Sequence, residues 1–126
     1  MRIKMTSIHV TDPAKAYEFY TQKLGFDTLM TMPEYNLYIV KSSDPSDQTG
    51  LLLEPSDHPL AKAYMEGLHE QGFSMIVFGV PNVQEEYERL VSLGVVFKQE
   101  PQTGPDGSIS AVLDDTVGNF VQLHQD

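Results

Sequence analysis

The residues of this chain that can do chemistry are few. Among its 126 residues there is no cysteine, so thiol nucleophiles, disulfides and thiolate-bound metals are excluded, and four histidines remain beside the carboxylates. His9 stands in MTSIHV, where strand alternation sets Met5, Ser7 and His9 on one face and Thr6, Ile8 and Val10 on the other. An imidazole there can donate to a substrate carbonyl or serve as acid and base near neutral pH; a backbone carbonyl at the strand end can equally satisfy it. Glu54 follows Leu51-Leu52-Leu53 and precedes Pro55, an acid at the end of an apolar strand. Facing a cavity, such a carboxylate suits removal of a proton alpha to a carbonyl. At a wetted strand end it needs only a lysine, and alternation leaves its face open by one register. His124 shares a face with Phe120 and Gln122, close to solvent. His58, between Asp57 and Pro59, reads as surface, and His69, beside Glu66 and Glu70, as part of a charged helix face.

The elements that must position these groups occur twice. Residues 8–26 read IHVTDPAKAYEFYTQKLGF and residues 78–95 read FGVPNVQEEYERLVSLGV. Each copy has an apolar strand ending in Val, a helix N-cap candidate (Asp12 or Asn82), and then Tyr-Glu (Tyr17-Glu18 or Tyr87-Glu88). Pro13 suits a first helical position, where its missing donor costs nothing. Tyr17, Tyr20 and Leu24, like Val83, Tyr87 and Leu90, recur at helical spacing. Leu24-Gly25-Phe26 and Leu93-Gly94-Val95 stop the helices, the second copy being one residue shorter. Strands are expected at 26–32, 35–41 and 51–54, and again at 95–100, 108–114 and 119–124, the latter set separated by the loop PQTGPDG and a turn at 115–118. Residues Pro59 to Gln71, with Leu60, Tyr64 and Leu68, read as a linker helix. The fold class is therefore α+β, two β-α-β-β-β modules (1–57 and 73–126) joined by a linker (58–72) in one domain, with curved mixed sheets enclosing a cavity suited to a small ligand.

Charge limits the partners. Acidic residues outnumber basic ones 18 to 8, a formal charge of −10, which repels phosphate backbones and anionic lipid. No apolar run approaches the roughly 20 residues of a membrane span, and MRIKMTSIHV lacks the apolar stretch of a secretory signal. Neither a nucleic acid nor a membrane is expected as a partner, and the cytoplasm is the expected compartment.

The duplicated pattern, the V-x-D-x4-Y-x-FY-x3-LGF run and the late Asp114-Asp115-x-x-Gly118-Asn119 turn resemble the vicinal oxygen chelate superfamily, which includes glyoxalase I, bleomycin-resistance proteins and extradiol dioxygenases. The resemblance covers nearly the whole chain and implies a homodimer. In its metal-dependent members a ligand sits on the first strand of each module and a carboxylate on the last. Seven residues before Asp12, the first position falls on Met5; its counterpart falls on Met75, or on Ser74 one residue away. The last-strand positions fall on Glu54, four after Gly50, and Gln122, four after Gly118. Thioether sulfur is soft and a neutral amide oxygen binds feebly, so two methionines, one carboxylate and one amide are a poor set for Zn, Ni, Mn or Fe. A displaced set of His9, Glu54 and His124 lies two to four residues away, roughly 7–13 Å of strand.

Two classes of function follow. The favoured one is a small-molecule-binding protein of the bleomycin-resistance type, with no metal and no cofactor, its cavity lined by Met5, Ser7, His9, Glu54, Met75, Phe120 and Gln122. The alternative is a glyoxalase-like isomerase, lyase or dioxygenase, either metal-dependent or using Glu54, with His9, as the catalytic residues.

Overall fold

A computed structural model describes residues 1–126. The chain divides into two compact units, Met1–Met65 and Glu66–Asp126. The first holds β1 (Met5–Val10), α1 (Pro13–Glu18), β2 (Asp27–Met32), β3 (Leu37–Lys41) and β4 (Gly50–Pro55). The second holds β5 (Ser74–Gly79), α3 (Val83–Ser92), β6 (Phe97–Thr103), β7 (Ile109–Asp114) and β8 (Phe120–Gln125). Helix α2 (Pro59–Gln71) runs between them, and the division falls inside it. Each unit folds its strands into one mixed sheet of the same order, β1-β4-β3-β2 and β5-β8-β7-β6, with the outer pair β1·β4 or β5·β8 parallel and the rest antiparallel. The fold is α+β, two copies of β-α-β-β-β, as the internal repeat predicts.

Both module helices begin as their sequences dictate. Asp12 accepts from Lys15 N at 3.2 Å and Asn82 from Glu85 N at 2.9 Å, each meeting one orphan donor of the first turn. Both end at a glycine in the left-handed region, Gly25 at φ +88° and Gly94 at φ +85°. The extra residue of the first copy has a definite place. After α1 the chain widens into a π turn at Phe19–Lys23, where Leu24 N donates to the Phe19 carbonyl, and a π turn absorbs one added residue without ending the helix.

Helix α1 buries Pro13 and Ala16, and the following turn buries Phe19 and Tyr20, against the face of the first sheet that carries Ile8, Val10, Val40, Leu51 and Leu53. Helix α3 buries Val83 and Leu90 against Ala111, Leu113, Val121 and Leu123. These alternate residues are the core; their neighbours along each strand face the other way.

The larger boundary differences from the expectation fall in β3 and β6. Residues Pro33–Tyr35 form a 3-10 turn closed by Asn36 at φ +53°, so β3 starts at Leu37 rather than at 35. Strand β6 starts at Phe97 rather than at 95 and runs on to Thr103, into the loop expected over 101–107. Pro101 is tolerated there because β6 is an edge strand and the ladder skips from Gln99 to Gln102, so no partner waits for the missing N–H. No helix is long and apolar enough to cross a membrane.

Candidate functional site

The face of each sheet turned away from its module helix carries Met5, Ser7, His9 and Glu54 in the first unit and Phe120, Gln122 and His124 in the second. Met75 falls at a bulge, and His58 and His69 belong to the entrance and last turn of α2. In the first unit the parallel ladder pairs Met5 with Gly50, Ser7 with Leu52 and His9 with Glu54. Residues paired across neighbouring strands point the same way, so Met5, Ser7, His9 and Glu54 share one face, about 4.8 Å apart from strand to strand. The register left open for Glu54 is thereby fixed: Leu53 is wholly buried under α1, while Glu54 lies half-buried on the opposite side. The His9 Nδ1–H donates to the Pro55 carbonyl at 3.3 Å, and because a carbonyl only accepts, Nδ1 carries the proton. In the neutral ring Nε2 is then the basic atom.

Beside this pair the face is apolar. A Cβ added at Gly50 would meet Ile39 and Leu29 at 3.1 Å and Met5 at 3.5 Å, so three side chains close over the glycine. Met5, Leu29, Met30 and Met32 are all exposed large hydrophobics. Flexible thioethers make a surface that adapts to the shape of what it covers. Sequence reading found only Met5 here. The bulge between Thr28 and Met30, which no local pattern announces, brings Met30 opposite Ile39.

The corresponding face of the second unit mixes polar and apolar groups. Ser74 pairs with Phe120, Val77 with Gln122 and Gly79 with His124 on the parallel side. Val112 and Ser110 pair with Gln122 and His124 on the other, and Gln99 lies opposite Val112. Met75 is the residue added at the bulge between Ser74 and Ile76 and is half-buried. His124 Nε2 lies 3.1 Å from Asp126 Oδ1. Asp106 has its carboxyl held below the usual aspartate range, chiefly by the Ser108 hydroxyl and backbone N–H, and to a lesser degree by the charge of His124. His69, expected on a solvated helix face, instead stacks on Phe120, with ring centroids 4.4 Å apart. His58 accepts from Leu60 N at 3.1 Å at the entrance to α2.

The two ladders also correct one correspondence. Val10 and Val80 each stand two residues before a helix cap, Asp12 and Asn82, which aligns His9 with Gly79 and Ser7 with Val77. On the last strands Gln122 therefore matches Leu52, and Glu54 matches His124, whereas counting from the glycines had matched Glu54 with Gln122. The count failed because Gly50 lies within β4 while Gly118 lies in the turn before β8. The ligand positions implied by the resemblance then hold thioethers or a hydroxyl (Met5, Met75, Ser74), a hydrocarbon (Leu52) and an amide (Gln122). No group of three histidine, aspartate or glutamate side chains is placed to hold a metal ion. This donor set does not fit a hard divalent cation.

Comparison with known proteins agrees with the architecture. The Bacillus subtilis protein YurT is 43% identical over 127 residues, covering 99% of each chain. The crystal structure of UcmS2 superposes with a TM-score of 0.81 at 30% identity, covering 98% of this chain and 97% of that one. That of TnmS3, an antibiotic binding protein from Streptomyces sp. CB03234, shares the fold with a TM-score of 0.72 at 22% identity over 99% and 95% of the two chains. The model of the Glyoxalase/Bleomycin resistance protein/Dioxygenase superfamily matches residues 2–123. With its two β-α-β-β-β modules and the paired ladders described above, the chain belongs to that superfamily.

Proposed function

We propose that this protein captures a small organic molecule on an open sheet face, at a site without a resident metal ion, as a binding protein of the bleomycin-resistance kind. The observation that carries this reading is the donor set itself: Met5, Leu52, Met75 or Ser74, and Gln122 stand where metal-dependent relatives need imidazoles and carboxylates. The exposed Met5, Leu29, Met30 and Met32 offer apolar contact, and Gln122, Gln99 and Ser110 offer hydrogen bonds. TnmS3, which has this fold, binds an antibiotic by its name. A homodimer fits the same surface, because β2 is an edge strand exposed along all six of its residues, three of them large hydrophobics.

The pairing of His9 with Glu54 favours a second reading, a metal-independent isomerase or lyase with Glu54 as the base and the doubly protonated His9 ring, its Nδ1–H held by Pro55, donating from Nε2 to polarise a carbonyl. A thermal-shift screen of metabolites and antibiotics, run with and without chelator, tests the first. A ligand at a hundredfold excess over its Kd adds roughly 2.7 kcal/mol, and the chelator should leave that gain unchanged. Stoichiometric Zn, Ni or Fe in the purified protein would overturn it. If Glu54 is a base, Glu54→Gln abolishes turnover of any substrate found while sparing its binding.

A further inference from the structure

On the open face of the second unit, one aromatic ring is already covered as a ligand would cover it. The His69 imidazole, in the last turn of α2, lies within 9° of parallel to Phe120, a full stack rather than an edge contact. Over the same ring stands the Lys98 ammonium, 4.8 Å from the centroid. Lys98 is anchored by donating to the Gly72 carbonyl at 2.7 Å. Gly72 has φ +73°, and a Cβ there would collide with Lys98 Nζ, so glycine is what admits the ammonium to this place. The anchor uses one of its three N–H donors and leaves two for a guest.

The cover and the platform differ in how firmly they are held. Phe120 is half-buried on a central strand, whereas His69 is exposed at a helix end, where rotamer changes take picoseconds to nanoseconds. Swinging the imidazole aside uncovers a flat apolar ring over which the Lys98 ammonium also stands. Gln122 follows two residues along the same face, and Ser74 sits opposite Phe120 in the ladder. In a chain of net charge −10, a lysine fixed over an aromatic ring is a local exception that selects for negative charge.

We propose that Phe120 and Lys98 form a subsite for a planar aromatic ring carrying an anionic oxygen, with His69 as the displaceable cover that the ring replaces. This rests on the reading of the open faces as ligand-binding and names the class of ligand. The guest ring stacks on Phe120 and its anionic group pairs with Lys98.

The probe is 2-naphthoate, with 2-methylnaphthalene (planar, uncharged) and cyclohexanecarboxylate (charged, not planar) as controls, titrated into the full chain and followed by NMR. The His69 imidazole protons, shielded by the Phe120 ring, should move downfield saturably with 2-naphthoate, and both controls should bind more weakly. Phe120→Leu should weaken 2-naphthoate roughly two- to tenfold, the worth of an aromatic pair. Lys98→Gln should weaken it roughly two- to fivefold, as for an exposed ion pair. His69→Ala, with no stack to displace, should bind it at least as tightly as the natural chain. Unchanged affinity in Phe120→Leu, or loss of binding in a folded His69→Ala, overturns the subsite. Saturable binding that moves the resonances of Met5 and Leu52 but not those of His69 also overturns it, while leaving the broader ligand-binding reading in place. If neither 2-naphthoate nor any member of the wider screen binds, both fall.

Discussion

Asp115 offers the sharpest test of what holds the second unit together. Its carboxylate is wholly buried and accepts three N–H donors: Val117 N and Asn119 N on Oδ1, both at 2.9 Å, and Asn119 Nδ2 on Oδ2 at 3.0 Å. The backbone closes the same turn, Asp115 N donating to the Asn119 carbonyl at 3.0 Å. Asp115→Ala strands all three donors where water is excluded. At about 1–3 kcal/mol for each buried unsatisfied group, and with partial relaxation of the turn, the loss should be about 4 kcal/mol. Asp115→Asn keeps one acceptor oxygen but sets an amide N–H₂ against a donor, for about 2 kcal/mol. Asp114 is the control. It accepts only from Thr116 N, at 2.8 Å, and is half-buried, so Asp114→Asn should cost about 1 kcal/mol or less. Urea unfolding followed by circular dichroism measures all three, the shift being read in the midpoint at constant slope. A loss below about 1 kcal/mol for Asp115→Ala would refute the argument, because it would mean that those donors find other partners.

Further outcomes follow from the geometry. Gly50→Val crowds Ile39, Leu29 and Met5 and should destabilise by about 1–3 kcal/mol, with methyl shifts confined to those side chains in NMR spectra. Asp12→Ala and Asn82→Ala each remove a helix cap and should each cost about 1 kcal/mol in urea, the near-equality testing whether the two modules use their caps alike. Asp106 is held below its ordinary value of 3.8 by Ser108, so its charged form favours the folded state above that pH and the contribution fades as pH falls through the lower folded value. Ser108→Ala should raise the Asp106 titration midpoint toward 3.8 in carboxyl-carbon NMR.

Much of this architecture was legible because its signals are local. An N-cap, a helical stripe and a stopping glycine lie within a turn or two of each other, and the duplication repeated each of them. Even the one-residue difference between the copies carried structural meaning, since it became the π turn at Phe19–Lys23. The candidate site was legible by face but not by neighbour. Alternation put Met5, Ser7 and His9 together, yet the pairing of His9 with Glu54 depends on a strand register between segments far apart in the chain. His69 looked like a solvated residue because Glu66 and Glu70 are its neighbours in sequence, while Phe120, the ring it stacks on, comes much later. Bulges at Thr28/Met30 and Ser74/Ile76 moved Met30 and Met75 in ways that no alternating pattern encodes.

The burial of Ile8, Val10, Leu51, Leu53, Val121 and Leu123 beneath the helices leaves the intervening positions of the same strands to other duties. If the open faces bind as proposed, folding and recognition are written on alternate residues of one text, and either can be edited without rewriting the other. One half carries sulfur and hydrocarbon there, the other amides and hydroxyls beside Phe120 and Val77, on scaffolds that share a strand order. A combinatorial library confined to the helix-free positions should therefore change what is bound while most of its members still fold.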